Sequence, residues 1–199
     1  MKKSVIIAAC AALLMTGCAN EYNQVYKAAT PSYKYEYAKQ CFAQGKYSRA
    51  IPLLQDVVTM KKGSTEGEEC LYMLAMAEYG LKDYETASEY FKKYYSSYPK
   101  GLYAENAKYF VGESLFQNAP EPRLDQSTTY TAISAFQEYL DLFPDARFKA
   151  QATERLYALQ DLLVEKEYKS ASLYFGMGTY FGNCTEGGNN YEACIVTAQ

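Results

Sequence analysis

Gly45-Lys46-Tyr47-Ser48-Arg49-Ala50 returns 37 residues later as Lys82-Asp83-Tyr84-Glu85-Thr86-Ala87, and this recurrence decides the fold. Each copy reads as a helix-turn-helix corner, in which glycine relaxes a turn, tyrosine wedges between helices and alanine lets them approach closely. An amphipathic run follows each corner, first Ile51, Leu53, Leu54, Val57 and Val58, then Tyr90, Phe91, Tyr94 and Tyr95. Spacings of three and four put these groups on one helical face. Tyr98-Pro99 and Phe143-Pro144 close two units, since proline forbids the helix to continue.

Three columns keep the same beat: Tyr35, Tyr72 and Tyr109; Phe42, Tyr79 and Phe116; Ala38, Ala75 and Gly112. A fixed period of this size marks a stacked helical array whose units bury their apolar faces only against neighbours. The expected fold is therefore all-α, an α-solenoid. The unit resembles the tetratricopeptide repeat, whose familiar length is 34 residues. Two positions depart from the pattern: Lys62 stands where Pro99 and Pro144 stand, and Lys82 replaces the corner glycine. The expected organisation is 1–17 signal peptide, 18–30 lipidated tether, 31–67 repeat 1, 68–104 repeat 2, 105–149 repeat 3 and 150–199 an incomplete repeat 4.

Lys2 and Lys3 precede an apolar run from Val5 to Met15. Eleven apolar residues are too few to span a bilayer, which needs about 20, so the run reads as a secretory signal. It ends in Leu14-Met15-Thr16-Gly17-Cys18, which resembles the lipobox of bacterial lipoproteins and makes Cys18 the expected lipid attachment point. Removal of the signal takes the formal net charge from −3 to −5. An acidic chain without a basic cluster is a poor nucleic-acid binder, because phosphate neutralisation needs concentrated Lys and Arg. Membrane contact is expected through lipid on Cys18.

Repeat 3 is stretched. Its eight-residue excess falls in Asn118-Ala119-Pro120-Glu121-Pro122-Arg123-Leu124-Asp125-Gln126, where two prolines exclude a helix and leave an enlarged turn. Arg123, Asp125 and Gln126 offer it as a partner contact; a solvated loop with a structural proline pair is the equal alternative. From Ala150 to Tyr174 neither proline nor glycine occurs, so one long helix is expected. Gly176 to Asn190 reads as a loop, and Tyr191 restarts a helix that stops at Gln199, so the array reads as truncated.

The chain has no histidine, which removes the commonest general base and the commonest metal ligand. No CxxC pair occurs, and the glycines of 176–182 are misplaced for a phosphate loop. No catalytic, metal or cofactor site is expected. Cys41 should be a buried thiol on the inward face of its helix. Cys184 and Cys194 flank the glycine-rich loop and could close it, but Cys41, Cys70, Cys184 and Cys194 allow three pairings and none is selected.

In tetratricopeptide repeats, the positions taken here by Tyr35, Lys39 and Phe42 project from the first helix into a concave groove. The equivalent sets are Tyr72, Met76 and Tyr79, then Tyr109, Glu113 and Phe116. An extended peptide would meet aromatic platforms there. With 22 tyrosines in the chain, packing between repeats is the equal alternative.

Taken together, the lipobox, the corners, Pro120-Glu121-Pro122-Arg123-Leu124-Asp125-Gln126 and Glu165-Lys166-Glu167-Tyr168 carry a further resemblance. The chain resembles the BamD family, outer-membrane lipoproteins of the β-barrel assembly machinery, in a form typical of Bacteroidetes. The resemblance implies a non-enzymatic scaffold, lipid-anchored to the outer membrane and facing the periplasm. It implies unfolded outer-membrane proteins as clients and a BamA-like barrel subunit as partner. Two other readings share the repeat fold: a lipoprotein scaffolding cell-wall or envelope enzymes, and a glycan-binding outer-membrane lipoprotein. The second predicts tryptophan platforms, and the chain has no tryptophan.

Overall fold

A computed structural model describes residues 22–27 and 29–176. The Cys18 lipobox, the loop from 177 to 190, Cys184, Cys194 and the helix restarting at Tyr191 lie outside the described residues. Within them all regular structure is helical: α1 (Pro31–Ala43), α2 (Tyr47–Met60), α3 (Thr65–Gly80), α4 (Tyr84–Ser97), α5 (Ala104–Gln117), α6 (Ser127–Leu142) and α7 (Lys149–Gly176), with a further helical turn at 22–27. The all-α class of tetratricopeptide-like helical repeats expected from the period is what the chain adopts. Two compact units divide at Ala104 and Glu105.

The first unit packs α1 on α2, α2 on α3 and α3 on α4. Side chains cap three of these helices: Thr30 Oγ1 accepts from Tyr33 N, Ser64 Oγ from Gly67 N and Asp83 Oδ1 from Thr86 N. Both corners end a helix in the same way. Lys46 N donates to Cys41 O at 2.9 Å, and Asp83 N donates to Glu78 O at 3.0 Å. These bonds close around a residue in the left-handed region, Gly45 at φ 70° and Lys82 at φ 65°. Lys82 therefore holds a conformation that glycine adopts freely and that costs an L side chain about 1 kcal/mol or more.

Of the apolar face read from the sequence, Leu53, Leu54 and Val57 are fully buried, each contributing roughly 1.5–3 kcal/mol by leaving water, while Ile51 and Val58 are half-buried at its margin. Ala38, Ala50, Ala75 and Ala87 are also fully buried, consistent with close approach at the corners. The wedging tyrosines pack as expected: Tyr47 lies 5.4 Å from Phe42, and Tyr84 lies 5.2 Å from Tyr79. Gly80 is tight for a related reason, since a Cβ there would meet the Tyr47 ring at 2.4 Å. Cys41 and Cys70 are buried thiols, and burial pushes Cys70 up to about 12.

Residues 22–27, which the sequence places in the tether, are helical, and Val25 is buried in the core around α1 and α2. Tyr22 packs against that core, with the Arg49 guanidinium 5.9 Å from its ring. Tyr22 and Val25, three residues apart on one helical face, dock a segment whose composition is otherwise polar.

In the second unit α7 packs on α6. Gly112, the glycine of the small-residue column, sets its backbone against the Phe136 ring, which a Cβ would meet at 2.8 Å. Ala107, Ala132, Phe136, Tyr139, Ala152 and Leu159 form the buried interior. The long helix predicted after Pro144 is α7, of 28 residues. Its later turns expose Val164, Tyr168, Leu173, Tyr174 and Phe175.

Candidate functional site

The first helices of the repeats carry the proposed groove positions, and the structure places those side chains in two different settings. Tyr72 on α3 stacks on Tyr103 at 4.3 Å with planes 9° apart, and meets Phe91 and Tyr94 edge-on. Tyr109 on α5 repeats this, stacking on Phe148 at 4.4 Å and meeting Tyr139 at 5.6 Å. Tyr72 keeps partial exposure, whereas Tyr109 is buried. Tyr35, Phe42, Met76, Tyr79 and Phe116 are half-buried, which leaves part of each ring or thioether in contact with solvent.

The charged members are engaged by the next repeat's first helix. Lys39 Nζ lies 3.1 Å from Glu69 Oε1 and donates to Tyr35 Oη, whose own hydroxyl donates to Glu69 Oε2. Hydrogen bonds that Lys39 donates to Tyr35 and Glu69 hold its ammonium well above the usual lysine range. Glu113 is 5 % exposed and accepts from four donors' worth of neighbours: Tyr109 Oη, Gln117 Nε2, and Arg155 through Nε at 3.1 Å and Nη2 at 3.4 Å. The Arg155 guanidinium also lies 4.5 Å above the Phe116 ring. Lys39 and Glu113 occupy equivalent positions with opposite charge, and each finds its counter-ion one repeat further on.

Beneath the rings lies a device that the sequence reading missed. Glu68 Oε1 accepts from Tyr94 Oη at 2.6 Å and from Leu102 N at 2.9 Å, while Tyr103 N donates to Tyr94 Oη at 3.1 Å. Glu105 Oε1 accepts from Tyr139 Oη at 3.3 Å and from Arg147 N at 2.8 Å, while Phe148 N donates to Tyr139 Oη at 3.3 Å. In both, a carboxylate and a buried phenol satisfy the backbone N–H groups that begin the next first helix. Burial raises both phenols, Tyr139 to about 12. Glu105 follows Glu68 at the same 37-residue offset as the tyrosines, so the periodicity already contained the signal.

The enlarged turn between α5 and α6 separates its three singled-out residues. Gln126 is 1 % exposed: its Nε2 donates to Glu121 O and Leu124 O, and its Oε1 accepts from Thr129 Oγ1 at 2.7 Å. It closes the turn from within. Asp125 is exposed and accepts from Ser127 N at 3.2 Å and from Ser127 Oγ, and those bonds hold its carboxyl below the usual range. Arg123 is exposed and borders a cavity of about 240 Å³ with Lys166, Lys169, Ser170 and Leu173 of α7. Among the described residues no cluster of His, Cys, Asp and Glu could hold a metal, and no helix is long and apolar enough to cross a membrane.

Consecutive packed helices, with joints that recur from one repeat to the next, define a tetratricopeptide-like helical-repeat protein. The family described as outer membrane lipoprotein, YfiO, matches residues 27–185, and the chain belongs to that family. It is 26 % identical over 184 residues to the outer membrane protein assembly factor BamD of Haemophilus influenzae, covering 86 % of this chain and 69 % of that protein. It is 22 % identical over 176 residues to the protein of the same name from Caulobacter vibrioides, covering 87 % of this chain but 58 % of that protein. The resemblance drawn from the corners and the lipobox is thus the family found.

Proposed function

We propose that the protein takes part in assembling β-barrel proteins into the outer membrane, as a lipid-anchored scaffold that acts by binding rather than by catalysis. The observation that carries this is the family match across residues 27–185 together with two relatives named as assembly factors. Lipid on Cys18 tethers the chain on the periplasmic side, and other subunits of the machinery, a BamA-like barrel subunit among them, are its partners. Unfolded outer-membrane proteins are its clients.

Client segments rest on the first helices. In the first unit Tyr35, Phe42, Met76 and Tyr79 offer partly exposed surface, with Lys39 beside them and Tyr72 supporting from its stack. In the second unit Phe116 offers the part of its half-buried ring that the Arg155 guanidinium leaves open, while Tyr109 and Glu113 are buried beside it. Arg123 and Asp125 of the enlarged turn present the exposed charges for a partner subunit, and Gln126 holds the turn in shape.

A photo-crosslinking residue placed at Phe42, Met76 or Phe116 should capture a peptide ending in a β-barrel C-terminal strand. Capture at Leu142, which is exposed at the end of α6, should be at least about tenfold weaker. Equal capture at all four positions would defeat the groove assignment. Cys18→Ala should move the protein from the membrane to the soluble fraction, and retention there at high salt would defeat lipid anchoring.

A further inference from the structure

In the sequence register of the three repeats, the middle one departs from its neighbours at one pair of positions. In repeat 1, Lys34 of α1 lies almost buried with its Nζ 2.6 Å from Asp56 of α2. In repeat 3, Lys108 of α5 reaches Glu138 of α6 at 2.7 Å, again with its stem covered. The repeat offsets place Leu71 and Lys93 at these two positions in repeat 2. The buried cation has become an apolar side chain, 2 % exposed, and the acid has become a lysine.

A cavity of about 380 Å³ opens where the pair would have been. Val58 and Leu71 give it an apolar floor, and Lys62 and Lys93 stand at its edge with Ser97 and Tyr98. Lys62 is the second departure, since the other repeats carry Pro99 and Pro144 in its slot. Among the described residues neither lysine forms an ion pair, and Lys93 has only the Tyr90 ring 6.0 Å from its Nζ. The acid of the adjoining turn, Glu66, is held by Lys61 at 2.9 Å. Tyr98 Oη accepts from Gly63 N at 3.2 Å, which leaves its own proton to donate.

We propose that this cavity is a docking site for a carboxylate side chain on an acidic, apolar-flanked segment of a protein partner, separate from the client groove. None of the groove residues lines it. The carboxylate supplies between Lys62 and Lys93 the charge that Asp56 and Glu138 supply in the flanking repeats. A phosphate fits less well. Phosphate sites favour arginine forks or clustered backbone N–H groups, and this cavity offers neither. It also adjoins the C-terminal ends of α2 and α4, whose partial negative charge opposes a dianion more than a monoanion. The apolar floor matches a hydrophobic neighbour in the docked segment.

The test titrates the protein with the peptide acetyl-Leu-Glu-Leu-Glu-Leu-amide and with its Gln-for-Glu twin, following backbone amides by NMR. The acidic peptide should shift Gly63, Leu71 and Tyr98, and the twin should bind at least about tenfold more weakly. The double variant Leu71→Lys with Lys93→Asp rebuilds the neighbours' ion pair, so it should fold normally and lose the peptide by at least about tenfold. Lys62→Gln, at an exposed position, should weaken binding about threefold without altering the melting temperature. Absence of peptide binding, equal binding by the twin, or unchanged binding by the rebuilt variant would overturn the proposal. So would preferential shifts of the same amides by inorganic phosphate or by phosphatidylglycerol vesicles, which would assign the cavity to phosphate or to lipid.

Discussion

The Glu68–Tyr94 joint in the first unit and the Glu105–Tyr139 joint in the second use the same parts over different lengths of chain. Glu68 and Tyr94 are separated by 26 residues, Glu105 and Tyr139 by 34. The eight extra residues leave the joint's connectivity intact, because they are taken up between α5 and α6, away from the carboxylate and the phenol. What differs is tightness: the phenol-to-carboxylate distance is 2.6 Å in the first unit and 3.3 Å in the second. A repeat can therefore lengthen at its inner turn so long as the ends of its helices still meet, at some loss in the bond that joins them.

The largest effect expected from this contrast follows removal of the carboxylates. Glu68→Ala leaves the fully buried Tyr94 hydroxyl and Leu102 N without their acceptor and should cost about 2–3 kcal/mol in denaturant unfolding. Glu105→Ala, with the longer phenol contact, should cost about 1–2 kcal/mol. Equal costs would mean that the backbone bonds to Leu102 N and Arg147 N, rather than the phenols, carry both joints.

A middle-sized effect tests where the additional length is stored. Gln126→Ala strips Glu121 O, Leu124 O and Thr129 Oγ1 of a buried partner and should cost about 1–2 kcal/mol. Arg123→Ala should stay within about 0.5 kcal/mol, as exposed positions do. If Gln126→Ala were equally mild, the turn would be held by its prolines and not by the glutamine.

The smallest effect concerns the corners. Lys82→Gly should stabilise the protein by about 0.5–1 kcal/mol, since it relieves a left-handed lysine. Gly45→Lys should do the reverse by a similar amount, although space around Gly45 is open. A melting temperature that falls on Lys82→Gly would show that the lysine side chain contributes more than its backbone costs.

The fold was legible because its period is carried by large groups. A tyrosine recurring at 37 residues, and prolines closing two of the units at Pro99 and Pro144, survive substitution of nearly everything between them. Positions on one helix face were legible for the same reason, as the full burial of Leu53, Leu54 and Val57 shows. The site was less so. Whether Tyr72 faces a groove or a neighbouring ring depends on Tyr103, which arrives from beyond the next helix. The partners of Lys39 and Glu113, Glu69 and Arg155, lie 30 and 42 residues away, and neither stands at the repeat period. Gln126 read as a polar loop residue because its three hydrogen bonds go to atoms that only the folded turn assembles. Residues 22–27 read as tether because six polar-rich positions show too little periodicity to declare a helix.

The Cys70 thiol, raised to about 12 by burial, gives the first unit a clock. While the helices stay packed, burial holds Cys70 as the thiol and out of reach of solvent, so an alkylating reagent finds almost nothing to attack. Modification must wait for α3 to part from its neighbours, and under slow-labelling conditions its rate then measures how often that parting occurs. A client or partner that clamps the first unit would slow the label by a factor whose logarithm follows the free energy with which it stabilises the closed array. With labelling read at Cys70 itself, apart from the second buried thiol Cys41, occupancy of the scaffold becomes a chemical rate without any probe added to the chain.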